Sequence, residues 1–227
     1  MLSDFLSLLY PRNCISCGNS LYKHEDEVCN YCILNLPKAN YLNSKHNPLE
    51  QIFYGRLNLA CASSYYVFSK KGGVQKLLHA IKYKGNKDLA FMIGKWFAND
   101  IKQNELIKTI DYIIPVPLHP DKYKQRGYNQ SEEFAKGLAF GLGIEVNTNV
   151  LTRLRNTSTQ TRKSKFERWE NVGEEFSIQN EQELINKHVA IVDDVITTGA
   201  TIEACGIQLQ KIPGIKLSVL SIAFASK

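Results

Sequence analysis

Two adjacent carboxylates, Asp193 and Asp194, directly follow a short apolar run over residues 189–192. Such a run is typical of a strand that is buried on both faces of a parallel sheet. The two acids would then lie at the carboxyl end of the strand, where open α/β sheets bind ligands. The next residues are small or hydroxylated: Thr197, Thr198, Gly199, Ala200 and Thr201. They lead into a helical pattern over residues 200–211, so the segment predicts a strand, an acidic edge, an anion-binding turn and a helix.

A second anion site is predicted in the segment PVPLHPDKYKQRGYNQ, over residues 115–130, which also follows a strand. Its prolines argue against a regular helix or a central strand. Asn129 with Glu132 is close to a capping box, so a helix is predicted to begin there. Three cations lie next to this helix start: Lys122, Lys124 and Arg126. A helix start attracts anions through its free amides and its dipole. The alternative interpretation is a solvated basic loop.

A third cationic cluster lies between Thr152 and Gly173 and has few apolar side chains. Its cations are Arg153, Arg155, Arg162, Lys163, Lys165 and Arg168. Loops of this length inside a compact domain are uncommon, and most are functional lids or disordered segments. We interpret the cluster as a lid that brings cations over an anionic ligand. A flexible surface loop with incidental charge is the alternative.

Four of the six cysteines form the pattern C-x2-C-x11-C-x2-C: Cys14, Cys17, Cys29 and Cys32. Two such knuckles bring four thiolates to one point, as tetrahedral zinc requires, and all four positions are filled. We therefore predict a structural Zn²⁺ site with no open coordination position, and disulfides are the weaker alternative. Cys61 and Cys205 lie among apolar residues and are predicted to be core residues.

The elements around these motifs alternate between strands and helices. Strands are predicted over residues 59–68, 112–116, 144–150, 189–194 and 217–224, and helices over 74–82, 89–102, 132–142 and 200–211. This alternation predicts an α/β fold with a parallel sheet flanked by helices. We divide the chain into a four-cysteine zinc-binding module (1–36), a polar linker (37–58) and the α/β domain (59–227). The first nine residues are predicted to form a short helix that docks on the body.

Composition and absent motifs narrow the function. The 227 residues carry a formal charge of +6, which suits an anionic partner, either a phosphorylated small molecule or nucleic acid. No apolar run reaches the roughly 18 residues that a transmembrane helix needs. The apolar start carries Asp4 and no basic leader, so we expect no signal peptide and a cytoplasmic protein. No P-loop, H-E-x-x-H or G-x-S-x-G motif is present, which argues against ATPases, zinc proteases and serine hydrolases.

The segment VAIVDDVITTGAT, over residues 189–201, resembles the thirteen-residue signature of type I phosphoribosyltransferases, which bind phosphoribosyl pyrophosphate (PRPP). Together with PVPLH, RGYNQ, AIKYKG (residues 80–85), Gln160…Arg168…Asn171 and the four-cysteine knuckle, it resembles the ComF family. This family, also called ComFC, contains competence-associated proteins similar to phosphoribosyltransferases. The departures are mild: Lys122 stands where arginine is commoner, Ile81 where phenylalanine is commoner, and Tyr128 replaces phenylalanine.

The resemblance implies a role for each motif. Asp193 and Asp194 would accept hydrogen bonds from the ribose hydroxyls, and Thr197, Thr198, Gly199, Ala200 and Thr201 would wrap the 5′-phosphate. The pyrophosphate, delivered with Mg²⁺, would face Pro117, Leu118, His119, Arg126 and Gly127. Lys122 and Arg126 would stabilise the leaving group, and Arg162 and Arg168 would close over it from the lid. His119 is at least as well explained as a turn residue as by acid–base chemistry.

Two classes of function follow from the resemblance. One is a PRPP-binding protein that handles single-stranded DNA together with the competence machinery. The other is an active phosphoribosyltransferase that moves phosphoribose to an unidentified base or amine. Basic loops beside Tyr123, Tyr128 and Trp169 suit stacked bases, although packing explains those rings equally well. The sequence leaves homodimer formation open, as it does the identity of the acceptor.

Overall fold

The fold is that of a computed structural model, which describes residues 12–44, 46–154 and 175–225. The helix predicted over the first nine residues lies outside these ranges. So does most of the predicted lid, including Arg162 and Arg168.

A five-stranded sheet with the order β1-β7-β6-β2-β3 forms the centre of the described chain. Its strands are β1 (Leu59–Val67), β2 (Tyr112–Pro115), β3 (Glu145–Val146), β6 (His188–Ile196) and β7 (Lys216–Phe224). Every neighbouring pair in this sheet is parallel. A separate antiparallel pair joins β4 (Leu151–Arg153) to β5 (Phe176–Ile178), the strands on either side of the predicted lid. The predicted α/β class is confirmed.

Helices cover both faces of the sheet. In chain order they are α1 (Asn30–Asn35), α2 (Pro48–Gln51), α3 (Gly73–Tyr83), α4 (Lys87–Ile101), α5 (Glu105–Lys108), α6 (Pro120–Arg126), α7 (Gln130–Leu142) and α8 (Ala200–Leu209). Ala190 and Val192 of β6 pack in one core cluster with α3, α4 and α7. Val189 and Ile191 pack in the other cluster with α8. Because both faces are covered, β6 is apolar at every position from Val189 to Val192, which explains the unbroken run.

The strand predicted over residues 144–150 is only two residues long. Asn147 ends it, because its Oδ1 accepts hydrogen bonds from the amides of Asn149 and Val150 at 3.1 and 3.2 Å. A side chain that bonds to its own following backbone competes with the sheet ladder and forms a turn instead.

Residues 37–58, predicted as a linker, pack against the sheet. Asn47 begins α2 by accepting hydrogen bonds from the amides of Leu49 and Glu50. Its Nδ2 donates to the carbonyl of Ala62 in β1 at 3.0 Å. Leu49 and Phe53 are buried in the core that contains α8. The polar residues that gave this segment the look of a linker are partly caps of short helices.

The four-cysteine region shares its core with the sheet. Cys14, Val28 and Leu36 pack in the same cluster as Tyr65 of β1 and Leu77 of α3. The carbonyl of Ser16, within the first knuckle, accepts a hydrogen bond from Lys76 Nζ of α3 at 2.8 Å. The boundaries predicted after residues 36 and 58 stay predictions, and the contacts across them are extensive.

Candidate functional site

The turn after β6 surrounds a small concavity of about 40 Å³. It is lined by Asp193, Val195, Ile196, Thr197, Thr198, Gly199, Ala200, Thr201 and Ile202. The backbone amides of Thr197, Thr198 and Gly199 donate to no acceptor within the described ranges. Helix α8 begins immediately afterwards at Ala200, so its positive end faces the same turn. Free amides and a helix start together favour an anion at this position.

Gly199 is required by packing beneath the turn. Its φ of +77° lies in the left-handed region, which side chains disfavour. A Cβ at this position would approach Phe53 Cε1 to 2.8 Å and Ile52 Cδ1 to 3.0 Å. The resemblance implies that Gly199 lies against the 5′-phosphate. In the structure the space of the missing side chain is taken by the segment after α2.

Asp193 lies at the edge of the concavity and is half-buried. Its Oδ1 accepts hydrogen bonds from the hydroxyl of Ser131 at 2.9 Å and from the amide of Asp194 at 2.8 Å. Burial, followed by the charge of Asp194, raises the pKa of Asp193 to about 7, while Ser131 and Lys82 act in the opposite direction. This carboxyl therefore changes its charge near neutral pH.

Asp194 is almost fully buried, with 4% of the residue exposed. Its Oδ1 forms an ion pair with Lys82 Nζ of α3 at 2.9 Å. Its Oδ2 is buried without a hydrogen-bond partner among the described residues. An unpartnered buried carboxylate oxygen is costly, so it marks a position where a donor is missing.

Three separate motifs of the sequence meet at these carboxylates. The hydroxyl of Tyr128, in RGYNQ, donates to the carbonyl of Ile81, in AIKYKG. Asn129 caps α7 by accepting from the amide of Ser131 at 3.1 Å, and its Nδ2 donates to the carbonyl of Val116 at 2.9 Å. These bonds join the end of α3 and the start of α7 to each other and to the segment after β2, and Ser131 of α7 reaches Asp193 of β6. Lys82 and Ser131 were absent from the predicted site, although both lie in or next to the quoted motifs.

The segment after β2 is more regular than its prolines suggested. Residues Pro120–Arg126 form helix α6, so the prediction of no regular helix was wrong. Pro120 stands in the first turn, where the missing N–H is not needed. His119 caps this helix, its Nδ1 accepting from the amide of Asp121 at 3.2 Å, as expected for a turn residue.

The predicted cations of this segment lie outside the immediate contacts of the carboxylates. The guanidinium of Arg126 lies 5.6 Å from the ring centre of Tyr83, and Lys122 is exposed. Within the described ranges neither forms an ion pair with Asp193 or Asp194. Pro117, Leu118 and His119 are half-buried beside the end of β2, and Gly127 ends α6 with a φ of +79°.

The four cysteines of the two knuckles come together in space. Their sulfurs all lie within 4.8 Å of one another, and Cys17 Sγ and Cys29 Sγ are 3.8 Å apart. A tetrahedron with Zn–S bonds of about 2.3 Å has edges of about 3.8 Å, so the donor set fits such an ion. The cluster could bind a metal such as zinc. Cys61 and Cys205 are buried elsewhere in the core, as predicted.

The chain was compared with known proteins by sequence. No protein-family model matches it, but several curated proteins do. It is 35% identical over 127 residues to "Competence protein F" of Haemophilus influenzae, covering 56% of each chain. It is 30% identical over 129 residues to "DNA utilization protein YhgH" of Salmonella typhimurium, again covering 56% of each. It is 28% identical over 205 residues to "Competence protein ComFC" of Streptococcus pneumoniae, covering 87% of this chain and 83% of that protein.

The chain is a homologue of the ComF-type competence proteins. The match spans only just over half the length of competence protein F and of YhgH. Among solved structures, an adenine phosphoribosyltransferase is 20% identical with a TM-score of 0.37, covering 63% of this chain and 74% of that one. Because that score is low, the fold assignment rests on the strand order of the chain itself. No helix within the described ranges is long and apolar enough to cross a membrane.

Replacing Asp193 by asparagine should stabilise the unliganded protein at neutral and higher pH. The pKa of Asp193 is raised in the folded state, so the folded protein holds a proton that the unfolded chain has already lost. Stability from this group therefore falls as the pH rises from about 4 to about 7. When the pH is raised from about 4 to about 7, this group should lower the melting temperature of the natural protein, and Asp193→Asn should lack that contribution.

Asp111→Asn is the matched control, because the backbone N–H of His188 lowers the pKa of Asp111. This variant should be less stable than the natural protein at neutral pH. A lower melting temperature for Asp193→Asn at pH 8, or a difference that does not vary with pH, would contradict the assignment.

Proposed function

We propose that the chain binds PRPP, delivered with Mg²⁺, at the carboxyl edge of its sheet. The observation that carries the proposal is the arrangement at the end of β6. Two carboxylates there each have an Oδ2 without a partner in the described chain, beside a turn with three free amides. Acceptors for hydroxyls next to donors for a phosphate are what a sugar phosphate needs.

Each part of PRPP has a counterpart in this arrangement. Asp193 and Asp194 would accept the hydrogen bonds of the two ribose hydroxyls. The amides of Thr197, Thr198 and Gly199, with the start of α8, would hold the 5′-phosphate. The concavity of about 40 Å³ at the turn suits a small oxyanion rather than a base.

The pyrophosphate would extend toward the segment after β2. Pro117, Leu118, His119 and Gly127 border that side, and Lys122 and Arg126 supply positive charge there. Arg162 and Arg168, outside the described residues, remain the proposed lid cations. Mg²⁺ prefers oxygen ligands and would arrive bound to the pyrophosphate, whose charge it neutralises.

The names of the relatives support a role in the use of DNA. Those relatives are described as competence and DNA utilization proteins. The net charge of +6 suits an anionic polymer, and Tyr83 and Tyr123 are exposed close to basic side chains. We therefore propose that this chain is a cytoplasmic PRPP-binding protein that handles single-stranded DNA with the competence machinery.

The second candidate is a phosphoribosyltransferase without a DNA role, favoured by the cations Lys122 and Arg126 on the side proposed for the leaving pyrophosphate.

The proposed ligand is tested by the double variant Asp193→Asn, Asp194→Asn. PRPP with Mg²⁺ should raise the melting temperature of the natural protein, because a ligand that binds only the folded state at 100 times its Kd stabilises it by about 2.7 kcal/mol. The double variant should lose this increase and show no binding heat in calorimetry. Asp111→Asn, which changes a carboxylate at the opposite end of β6, should retain it. Normal PRPP binding by the double variant would refute the pocket assignment.

The two candidate functions differ in turnover and in DNA binding. A transferase should release pyrophosphate from PRPP in the presence of one member of a panel of bases and amines. A DNA-handling protein should bind a single-stranded oligonucleotide, with an affinity that falls steeply with salt because phosphate contacts release counterions. Absence of oligonucleotide binding at low salt would remove the DNA role.

We also propose that the cysteine cluster holds one structural Zn²⁺. Because Val28 and Leu36 share a core with Leu77 of α3, removal of the metal should lower the stability of the sheet as well as that of the knuckles. Elemental analysis should give one zinc per chain, and Cys32→Ser should lower both the zinc content and the melting temperature. Cys61→Ala should keep the zinc, since Cys61 lies outside the cluster. A zinc-free protein with an unchanged melting temperature would show that the cluster is not a metal site.

A further inference from the structure

Lys82 is the cation closest to the paired carboxylates in the described chain. Its Nζ lies 2.9 Å from Asp194 Oδ1, and the two side chains are 24% and 6% exposed. Within the described ranges no other lysine or arginine lies within ion-pair distance of Asp193 or Asp194. Water screens a pair this buried only weakly, so the charge of Lys82 acts directly on Asp194, and it also favours the ionised form of Asp193.

The position of Lys82 is fixed by its neighbours in α3. Ile81 is fully buried, and its carbonyl accepts the hydrogen bond from Tyr128. The amide of Lys84 closes the helix on the carbonyl of Ala80 at 3.0 Å. The backbone on both sides of Lys82 is therefore held, and its side chain starts from a fixed point beside β6.

The existing contacts leave one oxygen of each carboxylate available. Oδ1 of Asp193 accepts from Ser131 and from the amide of Asp194, and Oδ1 of Asp194 is paired with Lys82. Oδ2 of each has no partner within the described residues, and that of Asp194 is buried as well. Two free acceptors on consecutive residues match the two neighbouring hydroxyls of a ribose.

We propose that Lys82 is a positioning residue: its ion pair holds the Asp194 carboxylate in place, and its charge favours the ionised form of the acid pair, so that the free oxygens accept the two hydroxyls of the ribose of PRPP. The inference rests on the proposed function and adds to it that Lys82 is needed and that the acid pair binds the ribose in its ionised form. A protonated carboxyl would donate a hydrogen bond and offer fewer acceptor positions, so the ionised pair is the form suited to a diol.

The groups that face Asp193 come from four elements: β6, α3, α7 and α8. Burial and the charge of Asp194 raise the pKa of Asp193, and Ser131 of α7 and Lys82 of α3 lower it. From α8, Cys205 is near enough for the Asp193 charge to raise the pKa of that buried thiol. Lys82 is the positive charge among them, so its removal leaves two adjacent acids without a counter-ion. The first proton should then be lost only at a higher pH than in the natural protein.

The test compares Lys82→Met with Lys84→Met. Lys84 lies two residues away at the end of the same helix, is exposed, and forms no ion pair within the described ranges. Calorimetry with PRPP and Mg²⁺ should cover about pH 6 to 9, a window that includes both the natural and the raised titration of the pair. Lys82→Met should bind roughly tenfold or more weakly at pH 7, the loss expected for one charge-assisted contact. Its affinity should recover at higher pH, whereas Lys84→Met should follow the natural profile and Lys82→Arg should restore most of the binding.

Titration of the aspartate carboxyl carbons by NMR, in the unliganded protein, tests the charge effect independently of PRPP. Lys82→Met should shift the titration of Asp193 to higher pH, because Lys82 lowers the pKa of that carboxyl, and Lys84→Met should leave it unchanged. An unchanged titration in Lys82→Met would overturn the role of Lys82 whether or not PRPP binds. Weaker binding with an unaltered pH profile would also overturn it, because this result indicates a structural role. If the natural protein binds no PRPP, the proposed function and the contact with the ribose hydroxyls are both wrong. The NMR titration alone then decides whether Lys82 changes the ionisation of the acid pair.

Discussion

Two like charges on consecutive residues at the end of a buried strand are the constraint around which this structure is arranged. Taking one carboxylate from water is unfavourable, and a second beside it adds repulsion. Lys82 of α3 pairs with Asp194, and the hydroxyl of Ser131 and the amide of Asp194 donate hydrogen bonds to Asp193. These groups come from different parts of the chain. The site can therefore exist only when the helices on this face of the sheet are in place.

Helix α3 connects this site with the cysteine cluster. Its first residue, Gly73, leaves no room for a side chain, because a Cβ would approach Leu36 Cδ2 to 2.8 Å. One turn later Lys76 donates to the carbonyl of Ser16 in the first knuckle. The other end of the helix carries Lys82. Eleven helical residues span about 16 Å, so one rigid element links the proposed zinc site to the proposed ribose site. On this view the metal would support the ligand site through α3 without taking part in its chemistry.

The sequence predicted the fold where the pattern is local and the physical cause is single. The run before Asp193 predicted a strand covered on both faces, and β6 has this environment. The prediction was wrong at Pro120, which was expected to prevent a regular helix and instead starts α6. Asn47, in the segment predicted as a polar linker, caps the short helix α2. Proline and asparagine favour both turns and helix starts, so only the neighbouring backbone decides between the two roles.

Part of the candidate site was predictable from the sequence and part was not. Asp193, Asp194 and the threonine turn are consecutive, and one strand end is enough to place them at a common edge. Lys82 and Ser131 are separated from them by more than 60 residues, and their roles depend on how α3 and α7 pack against β6. Composition and periodicity do not encode that packing. The fragments AIKYKG and RGYNQ contained the signal, but only the bond from Tyr128 to Ile81 shows that they form one structure with the acids. The groups that compensate the charge of Asp193 and Asp194 are distant from them in sequence. The two acids can therefore be predicted from sequence more easily than Lys82 and Ser131, which stabilise their charge.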